Sequence, residues 1–323
     1  MKLNNLIKSI YRQNTSTLFV IIATTLILFL LKTPIALAYN QLEYYINYYF
    51  LYHNITISPS SSKNVLLISN SKMGGGRHLM YMLPILKKFL EPLHIKDLLL
   101  ITYAYPNIRD GVNTHMADDY LPEIKETFEH LKIRVHQLDA TLPSTQQKEI
   151  ISTASAIYFT GGNTFHLIKT LYDNDLISTI KEKIRLGTPV IGVSAGTVIH
   201  GPTMKTTNDM PVAFPRSFES LNTVPFQINA HYNNMSTPGF QGETRDDRIK
   251  EYLQYNRTLP GNLSRSNFVI GLKEGTAIHI SGNKAELVGF GTRPAEKLEL
   301  ESSTDKLIKS PIMVGSMLDN LLQ

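Results

Sequence analysis

Cysteine is absent from this chain. That excludes disulfides, thiol catalysis and cysteine-based zinc sites, and it fits an oxidising compartment without demonstrating one. A basic patch is missing too. Lys and Arg number 32 against 27 Asp and Glu, the net charge is +5, and the cations are scattered. Nothing in that pattern marks a nucleic-acid-binding surface. No internal repeat is visible. Gly74-Gly75-Gly76 is not followed by Gly-Lys-Ser/Thr, so it does not read as a phosphate loop.

What is present suffices for a large core. Of 323 residues 42% are hydrophobic and 18% charged, an ordinary globular balance with room for one or two domains. The front end is the exception. Lys2, Lys8 and Arg12 precede an almost unbroken apolar run over residues 18–31, and Ala36 and Ala38 close the stretch. Two readings compete: a secretory signal peptide cut after Ala38, or a membrane anchor over residues 17–38 in which Lys32 and Pro34 sit awkwardly. A terminal core helix is the structural alternative. Cations before the run, with none between Thr33 and Ser62, keep the N-terminus cytoplasmic and place the remainder across the membrane. Tyr44, Tyr45, Tyr48, Tyr49 and Tyr52 form a helical stripe that suits a membrane interface or packs on the following domain. Pro59 and Ser60 to Ser62 read as a linker. The expected organisation is a signal or anchor over 1–38, a Tyr-rich segment and linker over 39–62, and a catalytic domain over 63–323.

Beyond residue 63 strands and helices alternate. Strands are expected at 64–69, 97–103, 133–138 and 156–159, with helices between them, one of them over 116–131. This order predicts an α/β fold with a mostly parallel sheet and helices on both faces. Ligands of such sheets bind at the carboxyl ends of the strands.

The chain is organised around Gly192-Val193-Ser194-Ala195-Gly196, a G-x-S-x-G pattern directly after an apolar, β-branched strand. Such a strand–turn–helix elbow presents a serine Oγ at the sheet edge, with the Ala195 N–H at a helix N-terminus beside it. A Gly-rich turn with a capping serine is the structural alternative. Another strand end runs into Thr160-Gly161-Gly162-Asn163, where Gly162 can offer a second oxyanion N–H or simply make a tight turn.

A nucleophilic serine needs a base and a group to orient it. Of the ten histidines, His78, His130 and His166 fall on helical stretches and His200 lies just past Ser194, whereas His231 ends a strand-like run at 224–230. Asp209 and Glu274, both in loop-like settings near strand ends, are the candidate acids, and the residues alone leave that choice open. Thr244 and Asp247 fit a capping box. Arg245 then falls in a first helical turn, where the dipole disfavours a cation. It serves a ligand there or is an ordinary solvated arginine.

Six segments occur in one order over residues 64–300: Phe159-Thr160-Gly161-Gly162-Asn163-Thr164-Phe165, the elbow, Thr206-Thr207-Asn208-Asp209-Met210-Pro211, Gln227-Ile228-Asn229-Ala230-His231, Gly242-Glu243-Thr244-Arg245 and Ile270-Gly271-Leu272-Lys273-Glu274-Gly275. In these the chain resembles peptidase E, the serine dipeptidase family that cleaves after an N-terminal aspartate. The resemblance implies a class I glutamine-amidotransferase-like fold with Ser194 as nucleophile, His231 as base and Gly162 and Ala195 as oxyanion donors. It also implies Arg245 as partner of the substrate's aspartate side chain. It covers both Asp209 and Glu274; Glu274 is preferred as partner of His231 because it follows the strand-like run 268–272. A small Asp-Xaa peptide is the expected partner. No cofactor, metal or nucleic acid is expected, the N-terminal segment attaches the chain to a membrane if uncleaved, and a homodimer is left open. The chain departs from the family, whose members are usually cytoplasmic, in residues 1–62 and in an enlarged loop over 256–266. A cyanophycinase-like peptidase and a membrane-tethered binding protein on this fold are the competing functions.

Overall fold

The computed structural model describes residues 63–322 apart from 106–107, 110–111, 114–119, 235–238, 240, 261–265 and 291–292. The expected leader or anchor and the Tyr-rich linker lie outside the described residues. Among the described residues no helix is long and apolar enough to cross a membrane.

A seven-stranded sheet is built on short strands, the central ones predominantly apolar. β1 (Asn64–Ile68), β2 (Asp97–Ile101), β5 (Arg134–Gln137), β6 (Ile157–Phe159) and β7 (Val190–Val193) run parallel in the order β1-β7-β6-β2-β5. A minor hairpin, β3 (Ile108–Arg109) with β4 (Val112–Asn113), stands apart. Every residue of β1, β6 and β7 is buried, the signature of strands covered on both faces. Two antiparallel strands, β10 (Thr276–Ser281) and β11 (Lys284–Gly289), extend the sheet beyond β1.

The crossovers carry α1 (Leu83–Leu90) and α2 (Tyr120–Glu129) on the way outward to β5. They carry α3 (Ser144–Thr153), α4 (Thr164–Asp173) and α5 (Ile177–Arg185) on the way back to β7. Right-handed connections in opposite directions place these two groups on opposite faces. The helix α5, which sequence reading passed over, buries Ile180 and Ile184. The start of α4 is fixed by Asn163, whose side chain accepts the His166 N–H. His78, expected on a helix, sits in a turn just ahead of residues 80–82.

A second, four-stranded sheet was not anticipated. Its order is β13-β12-β9-β8, formed by β8 (Gln227–Ala230), β9 (Phe268–Leu272), β12 (Ala295–Leu300) and β13 (Leu307–Ile312). Only β8 and β9 are parallel in it. Apolar residues of both sheets, among them Leu67, Phe159, Ile228, Ile270 and Ile278, join one core. The elbow helix α6 (Ala195–Val198) and the longer α7 (Arg245–Thr258) complete the described fold. Of the loop expected over 256–266, residues 256–258 belong to α7, and 261–265 lie outside the described residues.

Candidate active site

The carboxyl ends of β1, β7 and β6 are adjacent, and Ser194 leaves the middle one. Its backbone takes φ 53° and ψ −111°, a conformation costly for a side-chain-bearing residue and typical of functional turns. The local sequence makes that bend achievable. A Cβ on Gly192 would strike the Gly196 carbonyl, and one on Gly196 would overlap Phe159 of β6. The bend is then pinned: the Ser194 N–H donates to the Ile68 carbonyl at 3.0 Å, and the Thr197 hydroxyl donates to the same carbonyl at 2.6 Å.

His231 follows the last residue of β8 and also takes a positive φ, 53°. Its Nε2 stands 2.9 Å from Ser194 Oγ, and its Nδ1 stands 2.9 Å from Glu274 Oε1. Glu274 lies in the tight turn between β9 and β10, closed by Gly275 at φ 86°. The chain thus brings together a serine, an imidazole and a carboxylate separated by dozens of residues in sequence. With Nδ1–H donating to Glu274, Nε2 is free to accept the serine proton.

Asp209 is placed elsewhere. Its Oδ2 accepts the Thr164 N–H at 2.7 Å, the Thr164 hydroxyl, and the Thr207 hydroxyl at 3.0 Å. Neighbouring Met210 offers its carbonyl to Asn163 Nδ2 at 2.9 Å. The loop carrying Asp209 is therefore tied to the N-terminus of α4 rather than to His231.

Gly161 and Gly162 line the site from β6. A Cβ on Gly161 would lie 3.5 Å from Ser194 Oγ, and one on Gly162, at φ 129°, would overlap Ala104. Only glycines leave this approach open. Among the described residues neither the Gly162 nor the Ala195 N–H has a hydrogen-bond acceptor.

Arg245 begins α7 behind the capping box formed by Thr244 and Asp247. Burial and then Arg248 lower its pKa from the ordinary guanidinium value, while Asp209 and Glu274 lie near enough to act in the opposite direction. Its Nη1 is buried without a hydrogen-bond partner among the described residues, an arrangement that leaves a charged donor to be satisfied from elsewhere. No group of three or more His, Asp or Glu among the described residues is arranged to hold a metal ion.

Two polar residues at this edge escaped sequence reading. Ser69 and Asn70 directly follow β1 and hydrogen-bond the segments bearing His231 and Glu274. Their position after a buried central strand was the available signal.

Residues 65–288 match Peptidase family S51. Peptidase E of Nostoc sp. (strain PCC 7120) is 37% identical over 231 residues, 72% of this chain and 88% of that protein. Peptidase E of Shewanella baltica (strain OS195) is 37% identical over 262 residues, 80% of this chain and 98% of the other. A crystal structure of a peptidase from an acI-B1 Actinobacterium superposes with a TM-score of 0.55 over 80% of this chain and 96% of that one. At 15% identity that likeness establishes the fold. Fold, collinear match and full-length relatives agree, and the chain belongs to peptidase family S51, with peptidase E proteins among its relatives.

Proposed function

We propose that this protein is a serine peptidase that hydrolyses dipeptides with an N-terminal aspartate. The observation that carries the reading is the Ser194–His231–Glu274 relay, with both hydrogen bonds at 2.9 Å. In the proposed reaction His231 Nε2 takes the Ser194 proton as Oγ attacks the aspartyl carbonyl. The oxyanion forms between the N–H groups of Gly162 and Ala195, neither of which has an acceptor among the described residues; loss of one donor costs about 3–4 kcal/mol of barrier. His231 returns the proton to the leaving amine, and water hydrolyses the acyl-enzyme.

Specificity is assigned to the two charges beside the relay. The buried Nη1 of Arg245 lacks a partner among the described residues, which supports pairing with the substrate's β-carboxylate. Asp209 Oδ1 has no hydrogen-bond partner among the described residues while Oδ2 is anchored by Thr164 and Thr207, which supports a role for it in holding the free α-amine. The N-terminal apolar run supports a catalytic domain beyond a membrane. Protease shaving of intact expressing cells would digest such a domain, and a protected chain would return it to the cytoplasm of its relatives.

The chemistry is tested by assaying the full chain on Asp-Leu and Ala-Leu beside Ser194→Ala and Arg245→Ala. Cleavage of Asp-Leu that vanishes in the serine variant is expected. In the arginine variant the fall in kcat/KM for Asp-Leu is expected to correspond to about 2–5 kcal/mol of lost transition-state stabilisation, the cost of removing one partner of a desolvated charge pair. Asp selectivity that survives Arg245→Ala removes that residue from the substrate pocket.

A further inference from the structure

Three consecutive residues, the last of β1 and the two after it, each bind the backbone at or next to a different member of the relay. The Ile68 carbonyl accepts the Ser194 N–H at 3.0 Å. The Ser69 hydroxyl accepts the His231 N–H at 2.9 Å and donates to the Leu272 carbonyl at 2.8 Å. The Asn70 Oδ1 accepts the N–H of Gly275, the residue after Glu274, at 2.8 Å. Both Ser69 and Asn70 are buried, at 0% and 2% exposure.

These contacts bear on the two most strained positions of the site. Ser194 and His231 both hold φ near 53°, a region that a residue with a side chain leaves readily unless its surroundings fix it. The backbone pairing of β8 with β9 continues through the Tyr232 N–H, which donates to the Leu272 carbonyl at 3.0 Å, and supplies no acceptor for the His231 N–H. The Ser69 hydroxyl takes that place, and by donating onward to Leu272 it locks β8 to the end of β9, two residues before Glu274. Asn70 is itself immobilised. The Tyr81 hydroxyl donates to its carbonyl at 2.6 Å and lies 2.9 Å from its Oδ1, and its Nδ2 donates to the Lys72 carbonyl at 2.5 Å.

We propose that Ser69 and Asn70 are positioning residues that hold His231 and Glu274 in register with Ser194. This rests on the reading of those three residues as the catalytic relay. Neither touches substrate. Ser69 sets the backbone from which the imidazole projects, and Asn70 sets the turn from which the carboxylate reaches it. Misplacement of a reacting group by about 1 Å costs on the order of 100-fold in rate.

The test compares the full-length wild type with Ser69→Ala, Ser69→Thr and Asn70→Ala. Four quantities are read: kcat and KM on Asp-Leu, the rate of Ser194 labelling by a fluorophosphonate, the low-field Nδ1 proton resonance of His231, and the thermal midpoint. Ser69→Ala is expected to lower kcat and the labelling rate on the order of 100-fold with KM little changed, and to shift or abolish the Nδ1 resonance. Asn70→Ala is expected to do the same more weakly, and Ser69→Thr, which keeps the hydroxyl, to recover much of the loss. Wild-type kcat and resonance in Ser69→Ala would overturn the proposal. So would a rate loss that follows the thermal midpoint with Ser69→Thr equally impaired, since that is a packing defect. Labelling and the resonance report on His231 without any dipeptide, so a wrongly chosen substrate leaves the test intact. A wild type showing neither signal overturns the relay and the proposal together.

Discussion

Glu274 and Asp209 are the two candidate acids, and their surroundings differ in kind. Glu274 offers Oε1 to the imidazole, whereas Asp209 spends Oδ2 on Thr164 and Thr207. Glu274→Gln should therefore lower kcat by about 100-fold with KM little changed, because the imidazolium loses its counter-charge. Asp209→Asn should instead raise KM for Asp-Leu and leave N-acetylated analogues no worse than before. Steady-state kinetics on both substrates separate the two, and a kcat effect confined to Asp209→Asn would reverse the assignment. At this scale much was legible. Ser194 stands in a G-x-S-x-G pattern directly after an apolar strand, and His231 and Glu274 follow strand-like runs, although the residues alone left Asp209 and Glu274 as equal candidates. Ser69 was not legible: serine at a strand end is chemically silent in sequence, and its partners lie 162 and 203 positions away.

The elbow works as an element because two glycines let a strand and a helix share space with β6. Gly196→Ala would place a methyl against Phe159, and overpacking of this sort costs about 1–3 kcal/mol. The expected outcome is a lower thermal midpoint together with slower fluorophosphonate labelling. An unchanged midpoint would mean that the Gly196–Phe159 approach yields without cost. Elements were readable where period and punctuation agreed. The central parallel strands β1, β6 and β7 are nearly continuous apolar runs, and α7 announces its start through Thr244 and Asp247. Its end was hidden because the helix is mostly polar, burying only Ile249, Leu253 and Asn256. The second sheet was hidden for a related reason. Four consecutive residues of β13 are exposed, so no buried face marks it, and its pairing with β12 is a tertiary fact rather than a local one.

For the whole molecule, buried histidines set the response to acid. Burial lowers His78 to about 4, His200 to about 3 and His279 to about 4, from an ordinary 6.5. At His78 Glu123 opposes that shift and Lys72 reinforces it. The folded state keeps these rings neutral while the unfolded chain protonates them below 6.5. Their stabilisation is thus fully present above pH 6.5 and is lost as pH falls toward 4 and 3. Each group contributes a slope of up to about 1.4 kcal/mol per pH unit in that window. Denaturant unfolding at pH 7, 6 and 5 should show a midpoint that drops with each step, and a flat profile between 7 and 5 would contradict the neutral assignment.

The relay is divided between the two sheets: Ser194 leaves β7 of the larger, while His231 and Glu274 follow β8 and β9 of the smaller. Turnover is therefore a gauge of their alignment, much as a vernier reads one scale against another. A slip too small to alter the circular dichroism of either sheet would already break the Ser194–His231 contact. On heating, activity should fade reversibly several degrees before secondary structure melts, and the working temperature ceiling of this peptidase would be set at the seam rather than in the core.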